Sequence, residues 1–192
     1  MIGRIRGVLV SNRPGSVIID VNGLGYEVAM TPRDASSLPG IGEEIVVHTH
    51  THVREDEISL YGFASETDRE LFRVLLTASG VGPKLAMALL ASMTGAEIIV
   101  AITAEDPDAL TVTPGVGKRG AQKIVLELAP KLAGREAEVV GGGDLIDVRA
   151  ALEGLGYTTP EINSVVGDLD PADPVDVQIK MALQSLGNQR HA

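Results

Sequence analysis

The chain has 192 residues, a net charge of −10, 44% hydrophobic residues, only five Tyr and Phe together, and no Trp. It has no cysteine, which excludes disulfides, thiolate metal sites, iron–sulfur clusters and cysteine nucleophiles, and the few aromatics leave aliphatic cores and few base-stacking platforms. The N-terminal "MIGRIRGVLV" has no long apolar h-region or small-residue cleavage site, and the longest charge-free aliphatic run, residues 85–96, is too short for a bilayer, so a cytoplasmic chain without a membrane span is expected.

Residues 1–63 read as β structure. "GRIRGVLV", "SVIIDV", "YEVAM", "EEIVVHTHTHV" and "EISLYGF" are β-branched runs, several of them alternating, and "NRPG", "NGLG" and "PGIG" supply turns between them. Five short strands in this length predict a small closed barrel of the OB type, since a sandwich wants about seven. The histidines of "VHTHTH" (His48, His50 and His52) share one strand face, but no further ligand falls nearby, so a solvated or partly covered face is the better reading than a metal site.

From Ser65 the period becomes helical. "SETDRELFRVLLTA" opens with a capping box of Ser65 and Asp68 and places Leu71, Val74, Leu75 and Ala78 on one face. "PKLAMALLASM", "GAEIIVAIT", "PDALTV" and "KRGAQKIVLELAPKL" predict further short helices, with Pro83 and Pro107 at or near their first positions. "REAEVVGGGD" reads as a linker. After it come a helix "GDLIDVRAALEGLGY" ending at Gly156, a second capped by Thr159 with Pro160 following, and a third that repeats this logic with Asp173 and Pro174. This small three-helix bundle suits a docking module or a stabilising tail. Its apolar positions Leu152, Leu155, Ile179 and Leu183 serve either its core or a docking face.

The fold class is therefore α+β and multidomain: domain I over 1–64, an all-α domain II over 65–135, a linker over 136–143 and domain III over 144–192. Net charge is −3 over residues 1–63, zero over 64–135 and −7 over 136–192, a division that assigns separate jobs to separate segments.

One phrase occurs twice. "ASGVGPKLAMALL" (78–90) and "TPGVGKRGAQKIV" (113–125) align without a gap, 35 positions apart. Glycines before a helix allow a tight turn whose N–H groups face outward, the positive helix end stands behind them, and a base one or two residues on adds charge. Two such hairpins between apolar helices form a sequence-independent grip on phosphate backbones. The rivals fail on the same residues. A P-loop would need Gly at 112 and Ser or Thr at 119, where Val112 and Arg119 stand. A dinucleotide-binding turn follows a strand, whereas helices precede both phrases. A helix–hairpin–helix glycosylase wants an Asp beyond its hairpin, and residues 118–143 contain none.

The ordered set "MIGRIRG", "GLGYEV", "VREDEISLYGF", "GVGPKLA", "PGVGKRGAQKI" and "LEGLGY" resembles the RuvA family, the Holliday-junction-binding subunits of RuvA–RuvB branch-migration complexes, over essentially the whole chain. The resemblance implies a non-catalytic, cofactor-free DNA-binding subunit acting in recombination, DNA repair and the SOS response. It implies a homotetramer, with one or two tetramers on the four-way junction left open, a hexameric ATPase RuvB docked by domain III, and the resolvase RuvC as a further partner. DNA contacts carried over by motif are Ser79, Gly80, Gly82 and Lys84 in the first hairpin, and Gly115, Gly117, Lys118, Arg119 and Lys123 in the second. Lys123 departs from the Arg common at its place in the family, and the linker is short. The family's acidic pin falls on Glu55 and Asp56, which by themselves read as a polar hairpin turn. Two other functions stay open: a general binder of single-stranded or branched DNA without a motor, and a helix–hairpin–helix repair enzyme.

Overall fold

The computed structural model describes residues 1–133, 148, 151, 152, 154–166, 169 and 175–190. The expected linker at 136–143 and the cap at Asp173–Pro174 lie outside them. The chain divides into two compact units, Met1–Ala133 and Gly134–Ala192.

In the first unit, β1 (Arg4–Arg13), β2 (Ser16–Val21), β3 (Leu24–Met30), β4 (Glu44–Val53) and β5 (Ile58–Phe63) close into a barrel in the order β1-β2-β3-β5-β4. Four seams are antiparallel and one is parallel, the short β3–β5 pairing of Ala29 with Tyr61 and Met30 with Gly62. The alternation of each strand sends Ile5, Leu9, Val17, Ile19, Val28, Met30, Ile45 and Val47 inward to an aliphatic core. Asn22 and Gly23 both have positive φ, which builds the tight β2–β3 turn.

Between β3 and β4 the sequence predicts only the turn "PGIG". The structure has a helix there, α1 (Pro32–Ser37), with Thr31 as cap and Pro32 in its first turn. Five helices follow β5: α2 (Glu66–Leu75), α3 (Pro83–Ser92), α4 (Gly95–Thr103), α5 (Pro107–Leu110) and α6 (Lys118–Leu132). Helix α2 joins them to the barrel within one unit. Its Phe72 ring lies 5.0 Å from Phe63, 5.4 Å from Tyr61 and 5.3 Å edge-on from His50, and Arg69 donates to the Gly3 carbonyl at 2.8 Å. His52 meets Tyr61 edge-on and accepts from Arg54, so two of the three histidines are engaged by rings and a guanidinium.

The Ser65 cap forms, but its box is different from that expected. The Asp68 N–H donates to Ser65 Oγ, while the Ser65 hydroxyl donates to the Asp68 carboxylate at 2.9 Å. Asp is one methylene shorter than Glu, and its carboxylate pairs with the hydroxyl. The full reciprocal box belongs to Thr94 and Glu97 at the start of α4.

In the second unit, α7 (Thr159–Val166) and α8 (Val175–Arg190) pack with the helical Val148 and Leu152. The cap of α7 is Thr158, one residue earlier than expected: its N–H and hydroxyl both donate to Glu161, at 2.8 and 2.7 Å. Gly156 has φ +88°, and the Tyr157 N–H reaches back to the Leu152 carbonyl, which ends the preceding helix as anticipated. The four apolar positions divide. Leu152 is wholly buried in the core, Ile179 and Leu183 pack on its margin, and Leu155 is 61% exposed. Among the described residues no single helix is long and apolar enough to cross a membrane.

Candidate nucleic-acid interface

The repeated phrase builds the same backbone twice. Val81 donates its N–H to the Ala78 carbonyl and Val116 to that of Thr113, and Ala86 and Ala121 close the first turns of α3 and α6 on Gly82 and Gly117. Gly80 and Gly115 take φ of +86° and +91°, the left-handed region where a side chain is strained. Val81 and Val116 are buried, anchoring each loop from its middle and leaving the flanking glycines outermost.

Gly82 and Gly117 pose a different question. Their φ angles, −94° and −87°, suit any residue, and a Cβ built on either meets nothing within 4 Å. Neither backbone strain nor internal packing asks for glycine here. What the missing side chains leave is an open approach to the backbone from outside.

The helix starts behind them are equally unusual within this molecule. Helices α1, α2, α4 and α5 each carry a side-chain cap, from Thr31, Ser65, Thr94 and Asp106, and each has an acidic residue in its first turn. Helices α3 and α6 have neither. No side chain caps their first-turn amide groups and no acid offsets their positive dipole ends. Lys84 stands exposed beside the first, and Lys118, Arg119 and Lys123 beside the second. The two hairpins also meet: Gly82, Lys84, Leu85 and Ala88 line a cleft of about 320 Å³ with Pro114 and Gly115. Eight of the nine sequence-predicted hairpin residues thus lie on the two hairpins or on the first turns of the helices that follow them, Lys123 lies in the second turn of α6, and residues from both hairpins share a cleft.

Ser79 carries a contact that the sequence did not reveal. Its N–H donates to Glu127 Oε2 at 2.7 Å, and Lys131 donates to the Thr77 hydroxyl at 2.7 Å, both from α6 to the first hairpin. The Ser79 N–H and hydroxyl, with Lys123 and Lys131 at longer range, hold the Glu127 carboxyl below the usual carboxylate range. Partners 48 and 54 residues apart leave no local pattern to read.

Glu55 and Asp56 lie elsewhere, exposed at the turn between β4 and β5, where the Arg54 N–H donates to the Glu57 carbonyl at 2.8 Å. Beyond Tyr61 and His50 the β4–β5 ladder continues to Val53 and Ile58, so the two carboxylates cap a two-stranded ribbon.

A closed five-stranded barrel carrying tandem helix–hairpin–helix elements defines a class of sequence-independent nucleic-acid-binding proteins. Residues 1–62 match the RuvA N terminal domain, 72–130 the SAM-like helix-hairpin-helix tandem and 145–187 the RuvA C-terminal domain. The chain is 39% identical to the Holliday junction branch migration complex subunit RuvA of Rubrobacter xylanophilus, covering 99% of this chain and 100% of that protein. It is 41% identical to the protein so named from Chromobacterium violaceum, covering 97% and 98%. With the Pseudomonas fluorescens protein of that name, identity is 47% over 71% of this chain and 68% of the relative. The chain belongs to the RuvA family.

Proposed function

We propose that this chain is the junction-binding, non-catalytic subunit of a branch-migration complex. The observation that carries the reading is the pair of glycine-started helices, α3 and α6, whose N-termini lack both side-chain cap and acid and whose hairpins share one cleft. Phosphates are the anions this arrangement suits, and backbone amides at glycine read no sequence. The names of the relatives point to a four-way junction as substrate and to a complex as the setting.

In this reading domain I (1–64) forms the centre of a cytoplasmic homotetramer, domain II (65–135) holds the arms, and domain III (144–192) docks the ATPase RuvB across the 136–143 linker. RuvC joins when the junction is resolved. The division of the apolar positions supports Leu155 as a docking residue and Leu152 as a core residue. Glu55 and Asp56, gathered around a symmetry axis, repel phosphates and keep continuous duplex off the centre.

The test compares affinity for a four-way junction, a linear duplex and a single strand at one salt concentration. The junction should be preferred, and Glu55→Gln with Asp56→Asn should lower the junction-to-duplex ratio several-fold by tightening duplex binding. Equal affinity for all three ligands would refute the reading, and an unchanged ratio in the variant would reduce the two carboxylates to a polar turn.

A further inference from the structure

We propose that Glu127 is a positioning residue for DNA binding: it locks the first hairpin to the helix that grows out of the second, so that both phosphate sites are presented in fixed register. The inference rests on the phosphate-grip reading of the hairpins.

Helix α6 begins at the second hairpin's anion site. Nine residues further along, about 14 Å at the α-helical rise, Glu127 takes the Ser79 amide at the tip of the first hairpin. One turn beyond, Lys131 takes the Thr77 hydroxyl. Two side chains one turn apart on α6, on either side of Pro130, thus clasp two alternate residues of a distant loop. From the opposite direction, Leu85 of α3 and Gly115 of the second hairpin line the same cleft.

The charge of Glu127 makes the assignment sharper. A carboxylate at the first hairpin opposes phosphate binding there, and Lys123, 3.9 Å away, offsets it only in part. What the carboxylate gives in return is geometry. It also satisfies the Ser79 N–H from inside the protein, so the first hairpin meets phosphate through other amides and Lys84.

The first measurement needs no DNA. The Ser79 amide proton should titrate with the Glu127 carboxyl at a pH below the usual carboxylate range, because a lowered pKa keeps the bond at higher pH and loses it as pH falls through that value. Glu127→Gln should abolish the titration. The second measurement is junction affinity. Glu127→Ala should weaken binding roughly tenfold, the scale of one hydrogen bond to a charged group, and should make Lys84→Ala almost silent in its background. Glu127→Gln keeps an acceptor oxygen without the charge, so it should bind at least as well as the native chain and retain the Lys84 effect. If Glu127→Ala does not fold, Glu127→Met, with a long side chain and no acceptor, takes its place. Native affinity and a full Lys84 effect without the acceptor would overturn the positioning role and leave the grip intact. If neither Lys84→Ala nor Lys118→Ala weakens binding in the native chain, the grip reading itself fails.

Discussion

The two hairpins have one shape and two chemistries. Their loops share hydrogen bonds, glycine conformations and a buried valine, position for position. Their surroundings diverge. The first opens on Pro83, with a single base at Lys84 and its tip amide tied to Glu127. The second opens on Lys118 and Arg119, with Lys123 a turn later. In the proposed reading shape alone makes the anion site, and charge, which acts at a distance, is concentrated on the second copy, so that the second would draw phosphate in while the first would add geometric definition.

What the hairpins share is tested by Gly82→Val with Gly117→Val. Both backbones accept the residue and both sites are open, so the melting temperature should barely move. Junction affinity should fall roughly a hundredfold or more, two charge-assisted hydrogen bonds at about 1.5 kcal/mol each. Unchanged affinity would mean that nothing approaches these glycines.

How they differ is read from salt dependence. Lys118→Ala with Arg119→Ala should flatten the slope of log K against log salt by about 1.8 for each protomer engaged, and Lys84→Ala by about 0.9. Equal losses from the two hairpins would erase the asymmetry.

A smaller effect is expected where Ala78 in the first hairpin corresponds to Thr113 in the second. The Thr113 hydroxyl is buried and finds no hydrogen-bond partner among the described residues. Thr113→Val should raise stability by about 1 kcal/mol in thermal unfolding and leave junction affinity alone. Destabilisation would show that the hydroxyl has a task its counterpart position does not.

Much of this was legible in the sequence because it is local. Alternating β-branched residues drew all five strands, and the repeated glycine phrase drew both hairpins. Helix α1 carries the same marks, since Thr31-Pro32 with Asp34 supplies the cap, proline and early acid of other helix starts here, but its six residues lie inside a turn-rich stretch and are too few to show a helical period. At α7 two consecutive threonines offered a cap, and only Glu161, three residues after Thr158, decides between them. Leu152 and Leu155 sit three apart on one helical face, so periodicity could not separate core from surface. Glu127 was out of reach, since its partner is fixed only by how α6 crosses the first hairpin.

The barrel's thin parallel seam has a consequence for local opening. A ring of strands parts where the fewest bonds hold it, and here that place is between β3 and β5, with two registered pairs against the longer antiparallel ladders. The seam closes because position 62 has no side chain: a Cβ there would come within 2.5 Å of Val28 and 2.8 Å of Val47. A side chain at Gly62 would turn the ring into a curled sheet running β3-β2-β1-β4-β5, with two raw edges where the native barrel has a seam.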